Sequence, residues 1–178
     1  MKNSLQREVP VGFKPFVSPT AFQKKPRIMI PEKNTNHQIV FFESLEAMFK
    51  EMGISDGMTL SFHHHLRNGD EVLNQTAKVV EKMGLKNLHF APSSIFPNNA
   101  CLSSLIKNKN ITSITTNYLN GDVAKTISQG YLENLLIMET HGGRARSIEA
   151  GELAIDFAIL ATPAVDCMGN GTGSLGKN

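Results

Sequence analysis

The sequence predicts an α/β domain built on a mainly parallel, open sheet with helices on both faces. Strand-like runs alternate with helix-like stretches along the 178-residue chain, and this alternation is typical of right-handed βαβ units. Each strand-like run is followed by a polar or glycine-rich segment, and in a parallel sheet such segments share the carboxyl edge, where ligands bind. With 40% hydrophobic residues, the chain can bury the core of one domain.

The first predicted elements are a helix, a strand and a second helix. Apolar residues at helical spacing predict a helix over 45–52 that ends at a glycine. Residues 58–62 are short and rich in strand formers. Apolar residues recur at helical spacing again from about 70 to 83, where the next glycine stops them. Asn68 followed by Glu71 predicts an N-cap with a capping box at the start of this helix.

The remaining elements continue the alternation. Short β-branched or apolar runs bounded by turn residues predict the strands, and polar caps and glycines mark the helix ends. The predicted elements are, in order, a strand at 87–91, a helix at 99–107, a strand at 111–115, a helix at 121–129, a strand at 135–138, a helical turn at 149–153 and a strand at 157–161.

Residues 1–40 are predicted to form a proline-rich, basic N-terminal arm, and residues 41–178 the α/β domain. Residues 1–33 carry seven Lys or Arg against two Glu, together with five of the eight prolines. We expect such an arm to be extended and to wrap its own domain or a partner subunit. The remaining chain is slightly acidic, and the protein has two Tyr and no Trp, which argues against nucleic-acid binding.

The sequence contains no apolar run of the roughly 20 residues that a membrane-spanning helix needs. Its first residues also lack the apolar core of a secretion signal, so we expect a cytoplasmic protein. Cys101 and Cys167 are far apart and form no C-x-x-C motif. They are predicted to be ordinary buried thiols in a reducing compartment.

The segment SFHHHLRNGD, residues 61–70, joins the first strand to the helix that follows. Its imidazoles, guanidinium and glycine predict an anion-binding loop beside unpaired helix N–H groups, with His63, His64, His65 and Arg67 as candidate catalytic residues. A zinc site is disfavoured because consecutive residues do not face the same way and no second ligand cluster has suitable spacing. No metal is therefore predicted. The alternative to a functional role of the three histidines is that one imidazole is packed and its neighbours are solvated.

The segment HGGRAR, residues 141–146, is predicted to be a loop after the strand at 135–138, and it combines two glycines with two arginines. Glycine permits positive φ and close backbone approach, and guanidinium groups grip carboxylates or phosphates with paired hydrogen bonds. The alternative is a tight turn whose arginines pair with Glu149 and Glu152. The predicted substrate-binding residues are Phe62, Asn68, Gly69, Ser93, Ser94, Asn117, His141, Gly142, Gly143, Arg144, Arg146, Gly169, Asn170 and Gly171.

Familiar nucleotide-binding and nucleophile motifs do not occur in the sequence. GNGTG at 169–173 matches neither the P-loop nor the dinucleotide fingerprint, and its simplest interpretation is a flexible turn. No G-x-S-x-G elbow or Cys/His nucleophile context is found. The surplus of donors over acids instead predicts a site that holds a polycarboxylate or a thioester oxyanion through positive charge and backbone N–H groups.

Four segments, 61–70, 91–95, 141–146 and 166–173, together resemble the α subunit of citrate lyase. The resemblance implies a CoA-transferase-like (NagB/RpiA-like) domain in a cytoplasmic complex with a β subunit that cleaves citryl thioester and a γ acyl-carrier subunit. The implied activity exchanges acetyl for citryl on the carrier thioester through a mixed anhydride. It implies no tightly bound cofactor, because the acetyl-CoA-like prosthetic group of the carrier is a substrate.

The resemblance also implies a longer protein with a second, related α/β half. We therefore expect an amino-terminal fragment that is inactive alone, forms oligomers and exposes sheet surface that the other half would cover. Two other classes share this architecture. A metabolite-sensing domain of a transcriptional regulator would bind an anion without turnover, and a sugar-phosphate isomerase would need a lysine or acid at a strand end, for which the sequence offers no convincing candidate.

Overall fold

The computed structural model describes residue 2 and residues 6–12, 39–63 and 71–172. The chain divides into two compact units, Met1–Ile30 and Pro31–Asn178. In the first unit, Lys2 and Glu8 form an isolated antiparallel bridge. Every helix and strand of the described residues belongs to the second unit. The predicted division into an arm and a domain at residue 40 stays a prediction.

Within the described residues, the second unit contains a five-stranded parallel sheet. The strands are β1 (Thr59–His63), β2 (Leu88–Pro92), β3 (Ile111–Thr116), β4 (Leu136–Met138) and β5 (Phe157–Leu160), in the spatial order β4-β3-β2-β1-β5. Each neighbouring pair is parallel. The predicted α/β class with a mainly parallel sheet is therefore confirmed.

Five α-helices accompany the sheet in the described part of the chain. They are α1 (Leu45–Glu51), α2 (Val72–Met83), α3 (Leu102–Lys107), α4 (Asp122–Ser128) and α5 (His141–Glu149), with a 3₁₀ turn at Pro97–Asn99 before α3. The five strands and helices α1 to α4 lie where the sequence predicts them, with boundaries shifted by a few residues. None of these helices has the length and apolar content to cross a membrane.

One face of the sheet carries the main hydrophobic core. Side chains alternate along a strand, so Leu60, Phe62, Phe90 and Ile114 project from the same face, and each is at most 1% exposed. The rings of Phe62 and Phe90 have centroids 5.2 Å apart. Buried apolar residues of α2, α3 and α4 belong to the same cluster. These helices cover this face, as right-handed crossovers between successive neighbouring strands require.

The opposite face of the sheet is more polar and packs against α5. Ser61 points to it from β1, and Ala91 is buried there, outside the main core cluster. The α5 residue Arg144 reaches Ser61 Oγ. Because α5 connects β4 at one edge to β5 at the other, the crossover passes over this face. The prediction of helices on both faces is confirmed.

Helix α2 starts later than the sequence predicts. Its N-cap is Glu71, which adopts a left-handed conformation with φ 63° and makes no side-chain capping bond. A capping box needs its acid inside the first turn, but here the acid precedes the helix, which begins at Val72. The predicted capping box is therefore wrong, and Asn68 lies outside the described residues.

Residues 141–146 belong to α5 and do not form the predicted loop. Thr140 is the N-cap, and its Oγ1 accepts a hydrogen bond from Gly143 N at 2.9 Å. Neither Gly142 nor Gly143 has a positive φ. Glycine has poor helix propensity, so propensity alone favours a loop here. The Thr140 cap acts in the opposite direction and stabilises the start of the helix. The helix ends at Glu149, so the predicted helical turn over 149–153 is also wrong.

A small antiparallel hairpin follows β5. It pairs β6 (Ala164–Val165) with β7 (Gly171–Thr172). The Asp166 carboxylate accepts bonds from the side chain and backbone of Asn170 and from Met168 N, which lowers the pKa of that carboxyl. The described part of the predicted flexible turn is thus an organised hairpin.

Both cysteines are exposed, so the prediction of buried thiols is wrong. Cys101 is the N-cap of α3, where its Sγ lies 3.4 Å from Asn74 Oδ1. Cys167 lies in the turn between β6 and β7. Each thiol occupies a surface turn because neither falls on the apolar face of a helix or strand.

Candidate anion-binding site

A cavity of about 230 Å³ lies at the carboxyl ends of β1, β2 and β3. Three residues at these strand ends and four residues of α5 line it: His63, Ser93, Asn117, His141, Arg144, Ala145 and Ile148. The cavity is smaller than the roughly 300–1,000 Å³ typical of pockets for drug-sized ligands. It suits a small metabolite. The structure thus brings together five of the predicted site residues at the edge where parallel strands end.

Helix α5 supplies one wall of this cavity. His141, Arg144, Ala145 and Ile148 follow the i, i+3, i+4, i+7 spacing of a single helix face, and all four line the cavity. The Thr140 cap fixes where this helix begins. The start of α5 therefore decides which of its side chains face the sheet.

Arg144 is held by hydrogen bonds at one terminal nitrogen, and the described residues offer no partner to the other. Its Nη2 donates to Ser61 Oγ at 2.8 Å and to Ala91 O at 2.7 Å. Its Nη1 is buried and has no hydrogen-bond partner among the described residues. Burial lowers the pKa of this guanidinium, and the Glu139 carboxylate opposes that effect. Arg144 therefore lines the cavity and keeps one donor nitrogen to which the described residues offer no acceptor.

Arg146 faces away from the cavity and does not line it. Its guanidinium forms a two-bonded ion pair with the Glu152 carboxylate, with both N–O distances 2.6 Å. This pairing raises the pKa of Arg146. The physical reason is the helix, because residues two apart point to nearly opposite sides of it. Arg146 therefore forms the surface ion pair that the sequence offered as an alternative. Arg144, which lines the cavity, has the position expected of an arginine that binds an anion.

Asn117 connects the end of β3 to the segment before α5. Its Nδ2 donates to the Glu139 carbonyl at 2.8 Å, and Glu139 N donates to Thr116 O at 3.0 Å. The carbonyl can only accept, so the Asn117 amide nitrogen must face it and Oδ1 must point elsewhere. Asn117 Oδ1 and Glu139 Oε2 are both buried without a hydrogen-bond partner among the described residues.

Ser93 joins the ends of three strands through its backbone. Its N–H donates to Phe62 O at 3.0 Å, and its carbonyl accepts from Asn117 N at 3.1 Å. The Phe62 side chain points into the core on the opposite face, so the structure does not place it in the cavity. Alternation along β1 explains the difference, since His63, the next residue, lines the cavity. Ser94 does not line the cavity either.

Two glycine-containing segments that were predicted to bind substrate have structural roles in this fold. Gly143 N–H is used by the Thr140 cap, and Gly142 stands beside it in the first turn of α5. Gly169, Asn170 and Gly171 belong to the hairpin and do not line the cavity. A Cβ at Gly171 would lie 3.2 Å from Thr162 Oγ1, so close packing against Thr162 explains the glycine at this position.

The other predicted residues of the histidine-rich loop lie outside the described residues. They are His64, His65, Arg67, Asn68 and Gly69, and their roles stay predictions. Across the part of the chain that the structure describes, no group of three His, Cys, Asp or Glu residues could hold a metal ion.

Sequence reasoning missed Glu139, Ala145 and Ile148. The signal for Ala145 and Ile148 was their helical spacing from His141, which the interpretation of the glycines as a loop concealed. Glu139 directly follows β4 at the same edge as the predicted site residues. A search for carboxylates at each strand end would have found it.

Comparisons with known proteins agree with one another on the family. The family model for the citrate lyase alpha subunit matches residues 38–178. The citrate lyase alpha chain of Klebsiella pneumoniae is 37% identical over 173 residues, which is 97% of this chain and 33% of that protein. That of Haemophilus influenzae is 42% identical over 135 residues, which is 76% of this chain and 27% of that protein.

A solved structure gives the same result for the fold. A citrate lyase alpha subunit from Streptococcus mutans, in complex with citrate, superposes with a TM-score of 0.73 at 35% sequence identity. The match covers 98% of this chain and 35% of that one. This chain thus spans about a third of the length of the relatives it matches. Together, the family model and the structural match show that the chain belongs to the citrate lyase alpha subunit family.

Proposed function

We propose that this chain holds citrate at the carboxyl edge of its sheet and serves the exchange of acetyl for citryl on an acyl-carrier thioester. The Arg144 guanidinium carries this proposal, because Ser61 and Ala91 hold one side of it while its buried Nη1 has no hydrogen-bond partner in the described part of the chain. A buried cationic donor is costly unless an anion meets it, and a carboxylate fits its geometry. The Streptococcus mutans relative in complex with citrate supports citrate as that anion.

In the proposed exchange, a citrate carboxylate attacks the carbonyl carbon of the acetyl thioester, and the carrier thiolate leaves. The product is a mixed anhydride of citrate and acetate. The thiolate then attacks the citryl carbonyl of that anhydride, and acetate leaves. Arg144 would orient citrate, and His63 and His141 would donate hydrogen bonds to the developing oxyanion. This route depends more on positioning citrate and the thioester than on a nucleophilic side chain.

The exchange is proposed for the assembled enzyme and not for this chain alone. The chain spans about a third of its relatives, so we propose that it binds citrate without completing a turnover. The β and γ subunits of citrate lyase are the proposed partners, with the prosthetic group of the γ carrier as a substrate, in a cytoplasmic oligomer. Membership of the family favours this role over an anion sensor or a sugar-phosphate isomerase.

Calorimetric titration of the 178-residue chain tests the proposal, with citrate as the ligand and acetate as the control. We expect citrate to bind with a Kd of about 1 mM or tighter, which corresponds to about −4 kcal/mol. Acetate should bind at least about tenfold more weakly, because it offers one carboxylate and no second group. Absence of citrate binding, or equal affinity for both anions, would overturn the proposal.

A further inference from the structure

Ser61 contacts an arginine of the cavity wall without lining the cavity itself. It lies in β1, the strand between β2 and β5, and its side chain points to the face that α5 covers. Ser61 is 7% exposed, and its Oγ accepts a hydrogen bond from Arg144 Nη2 at 2.8 Å. The two residues are 83 positions apart in the chain, so this contact ties α5 to the middle of the sheet.

The same nitrogen of Arg144 has a second acceptor on the neighbouring strand. Nη2 also donates to the Ala91 carbonyl at 2.7 Å, and the register of β1 and β2 sets Ser61 opposite Ala91. One hydroxyl and one carbonyl on adjacent strands thus hold one terminal nitrogen. Because the guanidinium is planar and rigid, two acceptors at one nitrogen also restrict the direction of the other.

Of the two acceptors, only the Ser61 hydroxyl depends on the identity of a side chain. Buried positions are usually apolar, and a buried hydroxyl is costly unless it is hydrogen-bonded. Arg144 supplies that hydrogen bond. In return, the hydroxyl limits the rotamers of a long side chain before a ligand arrives, which reduces the entropy that binding would otherwise cost.

We infer that Ser61 is a positioning residue, which orders the Arg144 guanidinium and acts on the ligand only through it. This inference rests on the proposed function, because it takes citrate as the ligand beside Arg144. Loss of the Ser61 hydroxyl should therefore weaken citrate binding while Arg144 is present and have no further effect once Arg144 is replaced.

A double-mutant cycle tests this dependence. Citrate is titrated calorimetrically into the unsubstituted 178-residue chain, Ser61→Ala, Arg144→Met and the double variant, and urea unfolding shows that each variant is folded. Ser61→Ala should weaken citrate binding about threefold or more, the scale of one hydrogen bond to a charged group. The double variant should bind citrate within about twofold of Arg144→Met alone. A general loss of stability would instead lower the affinity in both backgrounds.

Thr115→Val is the matched control. Thr115 is 2% exposed, and its hydroxyl lies 2.9 Å from His89 Nε2 on the same face of the sheet. The substitution removes a buried hydroxyl that does not contact Arg144, so citrate affinity should change by no more than about twofold. If Arg144→Met removes measurable binding, the comparison of Ser61→Ala with Thr115→Val decides.

Three results would overturn the inference and leave the citrate proposal standing. They are unchanged citrate affinity in Ser61→Ala, an equal loss in Thr115→Val, and a loss from Ser61→Ala that persists in the Arg144→Met background. Failure of the unsubstituted chain to bind citrate would instead overturn the proposed function, and the role of Ser61 with it.

Discussion

The two faces of the sheet differ in what they contribute to the protein. The face under α2, α3 and α4 is lined by side chains that are almost wholly buried and apolar, such as Phe62 and Phe90. The face under α5 presents Ser61, His89 and Thr115, and it receives a charged group from the helix. The apolar face holds the fold together, while the polar face positions a guanidinium at the carboxyl edge.

The largest effect should come from breaking the apolar face. Phe90 is 0% exposed and packs against Phe62, so Phe90→Ala should lower the free energy of unfolding by about 3–5 kcal/mol. Urea unfolding followed by circular dichroism measures this loss. Ser113→Ala is the control on the polar face of β3, where it removes one exposed hydrogen bond from Asn134. We expect it to cost at most about 1 kcal/mol, and equal losses would contradict the division between the faces.

A smaller effect is expected at the N-cap that places α5 on the polar face. Thr140 Oγ1 accepts the Gly143 N–H at 2.9 Å, so Thr140→Ala should cost about 1 kcal/mol of stability. Because the cap fixes the start of the helix that carries Arg144, citrate affinity should fall as well. Thr140→Ser keeps the capping oxygen and is the matched control. If the alanine and serine variants have the same stability and the same citrate Kd, the cap does not position the site.

The smallest effect is a pH dependence from His89 on the polar face. Its Nε2 lies 2.9 Å from Thr115 Oγ1, and burial lowers the pKa of this imidazole. The unfolded state, with a pKa of about 6.5, takes up protons first as the pH falls. The stability that His89 contributes is thus complete above about pH 6.5 and is lost as the pH falls through its folded pKa.

Urea midpoints measured at about pH 7.5 and about pH 5 test this dependence in the unsubstituted chain and in His89→Gln. We expect the midpoint to drop less between these pH values in the variant. An unchanged drop would show that other groups cause the acid sensitivity.

The sheet could be predicted from the sequence because its signals are local and repeated. Strands such as 111–115 are β-branched runs between turn residues, and parallel pairing follows from the helices between them. The shared edge of His63, Ser93 and Asn117 then follows from topology. The sequence was therefore sufficient to predict that most of the residues lining the cavity lie close together.

The wall made by α5 could not be predicted in the same way. Two glycines lower the local helix propensity. The Thr140 cap and tertiary contacts, such as that of Arg144 with Ser61, act in the opposite direction. Once residues 141–149 are a helix, Arg144 and Arg146 separate onto different sides, a distinction that the loop interpretation could not make. Asn117 Oδ1 and Glu139 Oε2 are buried without a partner among the described residues, and this depends on tertiary contacts that leave no pattern in the sequence.

The most direct test of the account compares the two arginines of α5. Arg144→Met and Arg146→Met each remove one positive charge. The first guanidinium belongs to a residue that lines the cavity and has one nitrogen to which the described residues offer no acceptor, whereas the second is paired with Glu152. By calorimetry, citrate affinity should fall about tenfold or more in Arg144→Met and change by no more than about twofold in Arg146→Met. Equal losses in two folded variants, or undiminished binding in Arg144→Met, would contradict the assignment of Arg144 as the carboxylate grip.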